Sequence, residues 1–303
     1  MTRSVELPLW LLILILAFAA ISAATHLLFP SVRWFLRRRA ERLVARLNQR
    51  LKHPIEPFKL ARRHDMIQRL SYDSQVMEAV AEHAAEEGIP ENVAFERATH
   101  YARDIVPGFS ATVYFGIATR LARWISERLY HVRLTSVDAS IEKIDPEATV
   151  VYVINHRSNM DYVLVTWLAS DRSALAYAVG EWAKVWPLSF LIRAMGAYFI
   201  QRRSRNPLYR RVLERYVQMA TAAGVTQAVF PEGGLSLDGR TAPPKMGLLS
   251  YIAAGVDPTQ RDVVFVPVAL NYDRVVEDRI LTEAAAAGTK RFRAPIPVAA
   301  KFA

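Results

Sequence analysis

Charged and apolar positions divide the chain into three stretches with different periods. Leu7 to Phe29, LPLWLLILILAFAAISAATHLLF, runs 23 positions without Asp, Glu, Lys or Arg. As a helix it rises about 34 Å, enough to cross a hydrocarbon core of about 30 Å. This predicts one N-terminal transmembrane helix within residues 1–29. The rival is a cleaved signal peptide, whose cleavage region Ala17 to Ala24 imitates, but the apolar run is long for a signal core. Residues 30–140 form a basic juxtamembrane and helical region, punctuated by His53-Pro54-Ile55-Glu56-Pro57, Gly88-Ile89-Pro90 and Pro107-Gly108. Helices are expected over 62–87 and, on either side of Pro107, over 91–130.

From about Ile141 short apolar runs rich in β-branched residues alternate with helical ones. Strands are expected at Val150 to Ile154, Ala174 to Val179, Ala197 to Ile200, Ala228 to Phe230 and Val263 to Leu270. The alternation predicts an α/β domain over 141–303, with a mixed, mainly parallel sheet flanked by helices. Pro267 within the last run implies an edge position or a bulge. The chain stops at Phe302-Ala303 without an obvious closing element, so a C-terminally incomplete domain is expected.

Charge sharpens the first of these readings. The formal balance is +10. From Pro30 to Arg63 there are nine Arg and two Lys against Glu41 and Glu56, so nearly the whole excess sits in that segment. A nucleic-acid binder spreads basic residues over a folded face among stacking aromatics, and no nucleic-acid partner is expected. Basic residues directly after an apolar span place the remainder of the chain on the cytoplasmic side. They also suit anionic headgroups, with Trp34 and Phe35 at the interface. Cysteine is absent. Disulfides, thiolate metal sites and a cysteine acyl-enzyme are therefore excluded.

The candidate chemistry gathers at strand ends. His156 follows the run ending at Ile154, and Asp161 comes five residues later. In a tight turn into a helix this spacing folds the carboxylate onto one imidazole nitrogen and leaves the other to take a proton from a hydroxyl. By composition alone such a pair arises about 0.3 times in a chain like this one. Weight therefore rests on the later strand ends. Arg202 and Arg203 follow a short strand and suit bidentate phosphate recognition. In Phe230-Pro-Glu-Gly-Gly234, exposed backbone N–H groups of Gly233 and Gly234 approach an anion closely. Glu232 there is either an acceptor for substrate hydroxyls or a tie for the loop. Lys245 is a further phosphate contact. His64, His83, His100 and His131 lack clustered ligand partners, so packing or exposure accounts for them.

Four segments, His156-Arg-Ser-Asn-Met-Asp161, Gly196-Ala-Tyr-Phe-Ile-Gln-Arg202, Phe230-Pro-Glu-Gly-Gly234 and Val266-Pro267-Val268, resemble in order and spacing the blocks of the glycerolipid acyltransferases. The first two look most like the glycerol-3-phosphate and dihydroxyacetone-phosphate branch, with the lysophosphatidic acid enzymes a neighbouring branch. The resemblance implies transfer of a fatty acyl group from acyl-CoA or acyl carrier protein to a glycerol-phosphate hydroxyl, with no cofactor or metal. By position it makes His156 the base and Asp161 its orienting partner. It assigns Arg157, Ser158, Arg202, Arg203, Glu232, Gly233 and Gly234 to the acceptor, and Pro267 to the acyl-donor block. One departure stands out. Arginines that usually follow the Glu-Gly-Gly turn are replaced by Leu235 and Leu237. Arg240 and Lys245 are the available substitutes, or the acceptor is a lysophospholipid.

Two readings of other kinds compete. One is a noncatalytic scaffold that binds anionic lipid through 30–63. The other is a metal-assisted hydrolase with His156 and Asp161 as ligands, for which no third ligand of fitting spacing appears.

Overall fold

A computed structural model describes residues 8–134, 139–201 and 204–287. In it the β-branched run becomes strand β1 (Thr149–Ile154), followed by β2 (Ala176–Gly180), β3 (Tyr198–Ile200), β4 (Gln227–Val229) and β5 (Val263–Val268). All four pairings are parallel, in the order β3-β2-β4-β1-β5. The sheet is thus parallel throughout among the described residues, rather than mixed. Pro267 of β5, the strand at the sheet edge, pairs in register with Val153 of β1. An edge strand tolerates the missing N–H.

The chain divides into two compact units, residues 1–47 and 48–303. In the first, helix α1 (Leu9–Asn48) covers the apolar stretch and much of the basic run, and the Arg38 guanidinium lies 4.3 Å over the Trp34 ring. Among the described residues no helix is long and apolar enough to cross a membrane. The side chains expected to do so lie largely outside the described ones.

The second unit begins with short α2 (Pro57–Leu60), then α3 (Arg63–Ser71), α4 (Ser74–Glu87) and α5 (Glu91–Ile105). A π-helical segment, Thr112–Ala118, runs into α6 (Thr119–Leu129). After β1 come α7 (Met160–Leu168), α8 (Leu188–Ala194), α9 (Pro207–Ala222), α10 (Gly247–Ala254) and α11 (Asp278–Ala286). The helical stretch expected over 62–87 breaks at Tyr72-Asp73. There the Asp73 carboxylate caps α4 by accepting from the Gln75 N–H at 3.1 Å, and takes two 2.8 Å hydrogen bonds from Arg215 of α9. An Asp in that role satisfies a helix N-terminus and so starts a new helix. Gly88, at φ +63, ends α4 where the glycine of Gly88-Ile89-Pro90 predicts a stop.

Alternating strand residues feed two cores. Val151 packs with α3, α4, α5, α9 and α10, and Val150, Tyr152 and Ile154 pack with α7 and α8 on the other face. Each fully buried large residue, such as Leu70 or Ile105, contributes about 1.5–3 kcal/mol. Parallel strands point their carboxyl ends the same way. The loops after β1, β4 and β5 therefore open on one edge of the sheet, where the chain order of strands reverses.

Candidate active site

Asn155 ends β1 and ties it to the exit of β5. Its side-chain oxygen accepts the Leu270 N–H at 2.6 Å, and its amide donates to the Leu270 carbonyl at 2.8 Å. This clamp carries the segment after β5 across the His156 loop.

Nδ1 of His156 lies 2.9 Å from Oδ2 of Asp161, at the start of α7. The same oxygen accepts from the backbone N–H groups of Arg157 at 2.7 Å and Ser158 at 3.0 Å. Oδ1 accepts from the Tyr272 hydroxyl at 2.7 Å. Every partner donates, so the carboxylate acts as an acceptor only. We therefore assign the imidazole proton to Nδ1, which leaves the lone pair on Nε2. The Tyr162 hydroxyl lies 3.4 Å from Nε2. Around the ring stand Phe230, with ring centroids 4.6 Å apart, and Tyr162 at 5.3 Å. His156 is 2% exposed and Asp161 fully buried. Burial, and next the charge of Asp161, push the Tyr272 phenol well above its usual range, so it stays a protonated donor.

The residues expected to bind substrate separate into two groups. Glu232 is buried, and both its oxygens are taken, Oε1 by the His156 N–H at 2.9 Å and Oε2 by the Ala242 N–H at 3.0 Å. Of the two alternatives for Glu232, this geometry is that of the loop tie. Ser158 is likewise buried, donating to Glu277 at 2.6 Å, while the other Glu277 oxygen accepts the Asn159 N–H at 3.0 Å. Its hydroxyl supports the loop.

The second group borders the glycine turn. Gly233 adopts φ +65, and a Cβ there would come within 2.9 Å of the Lys245 side chain. The Lys245 N–H donates to the Pro231 carbonyl at 2.8 Å, which lays that exposed side chain along the turn. Gly234 has open space where a Cβ would stand. The Arg157 guanidinium donates to the Gly239 carbonyl, while its buried Nε has no hydrogen-bond partner among the described residues. Arg240 is largely exposed, its guanidinium 3.9 Å from Asp238. Leu235 and Leu237 are half-buried. Pro267 sits on the exposed sheet edge. Arg202 and Arg203 lie outside the described residues.

Tyr272, Glu277, Tyr162 and Phe230 complete the surroundings of the pair. The sequence marks Phe230 as the end of a strand, but nothing in local spacing marks Tyr272 or Glu277.

Comparisons with known proteins point to a family for the segment that holds this site. The Acyltransferase family model matches residues 136–271. A glycerol-3-phosphate acyltransferase from Aeromonas hydrophila is 32% identical over 224 residues, 72% of this chain and 28% of that protein. One from Pseudomonas entomophila is 30% identical over 248 residues, 80% of this chain and 30% of that protein. The chain thus spans less than a third of the length of these curated relatives. The 1-acyl-sn-glycerophosphate acyltransferase PlsC from Thermotoga maritima superposes with a TM-score of 0.34 at 18% identity, over 60% of this chain and 79% of that one, a likeness too slight to carry weight. The family match encloses β1, β4, β5 and the His156–Asp161 pair, and the segment 136–271 belongs to the Acyltransferase family.

Proposed function

We propose that the chain is a membrane-tethered O-acyltransferase. It moves a fatty acyl group from the thioester of acyl-CoA or acyl carrier protein to a hydroxyl of glycerol-3-phosphate. The observation that carries this reading is the 2.9 Å contact between Nδ1 of His156 and Asp161, which fixes the ring with Nε2 as its remaining basic atom.

The acceptor hydroxyl takes the place of the Tyr162 hydroxyl near Nε2 and gives its proton to that nitrogen. The oxygen attacks the thioester carbonyl, and the tetrahedral adduct collapses as the carbon–sulfur bond breaks. The thiolate leaves with the proton from the imidazolium. A thioester is already activated, so positioning and one base suffice. Lys245 and the Gly233-Gly234 turn, with the Arg157 guanidinium nearby, supply positive charge and donors for the acceptor phosphate. The apolar stretch of α1 anchors the chain in the bilayer with a single pass. The basic residues after it hold the second unit on the cytoplasmic side, against anionic lipid.

A second acceptor class is favoured by one feature. Leu235 and Leu237 stand half-buried just beyond the glycine turn, where they suit the acyl chain of a lysophospholipid better than a phosphate. A CoA-release assay on the vesicle-reconstituted chain, run with glycerol-3-phosphate, dihydroxyacetone phosphate and lysophosphatidic acid, tests the assignment. Fastest release with glycerol-3-phosphate is expected. Release only with lysophosphatidic acid would move the chain to the second class, and no release with any acceptor would refute the reading.

A further inference from the structure

The helix formed by residues 112–129 presents its apolar side chains in an unusual direction. Towards the protein it buries Tyr114 in its first turn and, from there on, only small or polar residues, Ala118, Thr119, Ala122 and Ser126. Ile117, Leu121 and Trp124 recur at spacings of four and three, which puts them on one stripe near the opposite, solvent-facing pole. Trp124 is 63% exposed. An ordinary surface helix places polar residues there.

A neighbouring element does the same. α8 packs against the 112–118 segment, and the Ser110 N–H donates to the Ala194 carbonyl at 2.8 Å. Both α8 and α7, on which α6 lies, pack on the same face of the sheet. From that layer Trp186 and Phe190 stand 82% and 67% exposed. Five large apolar side chains, two of them tryptophans, thus project from one layer of helices.

The charges around them select the occupant. Arg128 continues the Ile117-Leu121-Trp124 stripe, Arg120 borders it and Arg123 lies further round the helix, all three exposed; Glu127 is the one acid on α6 and takes a 2.9 Å hydrogen bond from Arg123. Tryptophan and phenylalanine beside arginines that can extend along an apolar surface match the boundary between acyl chains and anionic headgroups. A protein partner would need matching acids around an apolar centre, whereas an anionic bilayer offers both everywhere.

We infer that residues 117–128 and the 186–190 segment form a bilayer-docking surface of the second unit, separate from α1, which inserts its apolar side chains among the acyl chains of an anionic membrane. The surface lies close to the candidate site. α6 rests on α7, which begins beside Asp161, and Tyr130, just past α6, meets Tyr272 with ring centroids 5.2 Å apart. Docking on this side brings the site to the lipid boundary.

The absence of cysteine permits single labelling sites without a change of background. Leu121→Cys, Trp124→Cys and Phe190→Cys, each in the full chain, are labelled with an environment-sensitive fluorophore and reconstituted into phosphatidylglycerol-containing vesicles. Glu82→Cys, exposed on α4 against the other face of the sheet, serves as the reference. Doxyl-lipid quenching of the three labels well above that at Glu82→Cys is expected, as is weaker quenching in vesicles of phosphatidylcholine alone. Strong iodide quenching without doxyl quenching at all three sites would leave the surface in water and overturn the inference. Protection from both quenchers would overturn it too, by showing that protein covers the patch, either another segment of the chain or a second copy. Equal doxyl quenching in both kinds of vesicle would refute the selection by charge.

Discussion

The hydroxyl of Tyr272 donates a 2.7 Å hydrogen bond to Oδ1 of Asp161, from 111 residues further along the chain. That bond exists because β5 pairs with β1 and Asn155 clamps Leu270. Tyr272 thus holds the far oxygen of the carboxylate while Nδ1 of His156 sits on the near one.

Tyr272→Phe removes one donor and little volume. A hydrogen bond to a charged group contributes about 1.5–3 kcal/mol. The expected outcome is a fall in kcat of roughly tenfold or more with KM for the acceptor nearly unchanged, read by steady-state CoA release. An unchanged kcat would show that the backbone donors of Arg157 and Ser158 suffice to hold Asp161.

Glu232→Gln separates a loop tie from a substrate contact. Both carboxylate oxygens accept buried or partly buried backbone N–H groups, and an amide offers one oxygen only. One N–H is left facing an NH2 group, at a cost of about 1–3 kcal/mol. A lower melting temperature and lower kcat are expected, with acceptor KM little affected. A rise confined to acceptor KM would instead put Glu232 on the substrate.

Leu235→Arg, made in the protein as reconstituted, tests the acceptor. A guanidinium beside the glycine turn adds a phosphate contact. The expected outcome is a KM for glycerol-3-phosphate lowered several-fold, with dihydroxyacetone phosphate following and lysophosphatidic acid unimproved. A gain for lysophosphatidic acid alone would place the acyl chain elsewhere.

Alkaline pH loosens the core. Burial pushes the phenols of Tyr114, Tyr177, Tyr198 and Tyr216 above the usual tyrosine range and Tyr209 up to about 12. Because folding raises these values, their stabilisation is complete below the unfolded value of about 10 and is lost as pH climbs towards the folded ones. The unfolded chain releases protons that the folded chain keeps. Each phenol contributes a slope of up to about 1.4 kcal/mol per pH unit above that point. Denaturant melts at about pH 8 and about pH 11 check this, with a lower midpoint expected at the higher pH. A midpoint that does not move would contradict the burial of these rings.

The fold is legible in the sequence where its cause is local. The run of β-branched residues at 150–154, the glycine at 88 and the proline at 267 each act within a few positions, and each marks a feature the structure contains. The His156–Asp161 contact is legible for the same reason, since one turn closes it. The break at Asp73 is missed because an aspartate inside a helical run signals a cap only once Arg215 and the Gln75 N–H converge on it. Tyr272 and Glu277 lie more than a hundred residues from their partners, and pairing of β1 with β5, not any spacing, brings them in. Ser158 looks like a substrate contact within its motif, and only its burial against Glu277 shows it tied to the loop. The exposed stripe on α6 reads in sequence like any amphipathic helix, because periodicity reveals an apolar face without saying whether protein covers it.

The most direct test of the account is His156→Ala, assayed for CoA release with glycerol-3-phosphate and an acyl-CoA in vesicle-reconstituted protein. The account predicts a rate reduced by about 10²–10⁴-fold, the contribution of a positioned base, with vesicle association and melting temperature near those of the parent. Turnover within a few-fold of the parent, from protein equally folded and equally bound, would contradict it.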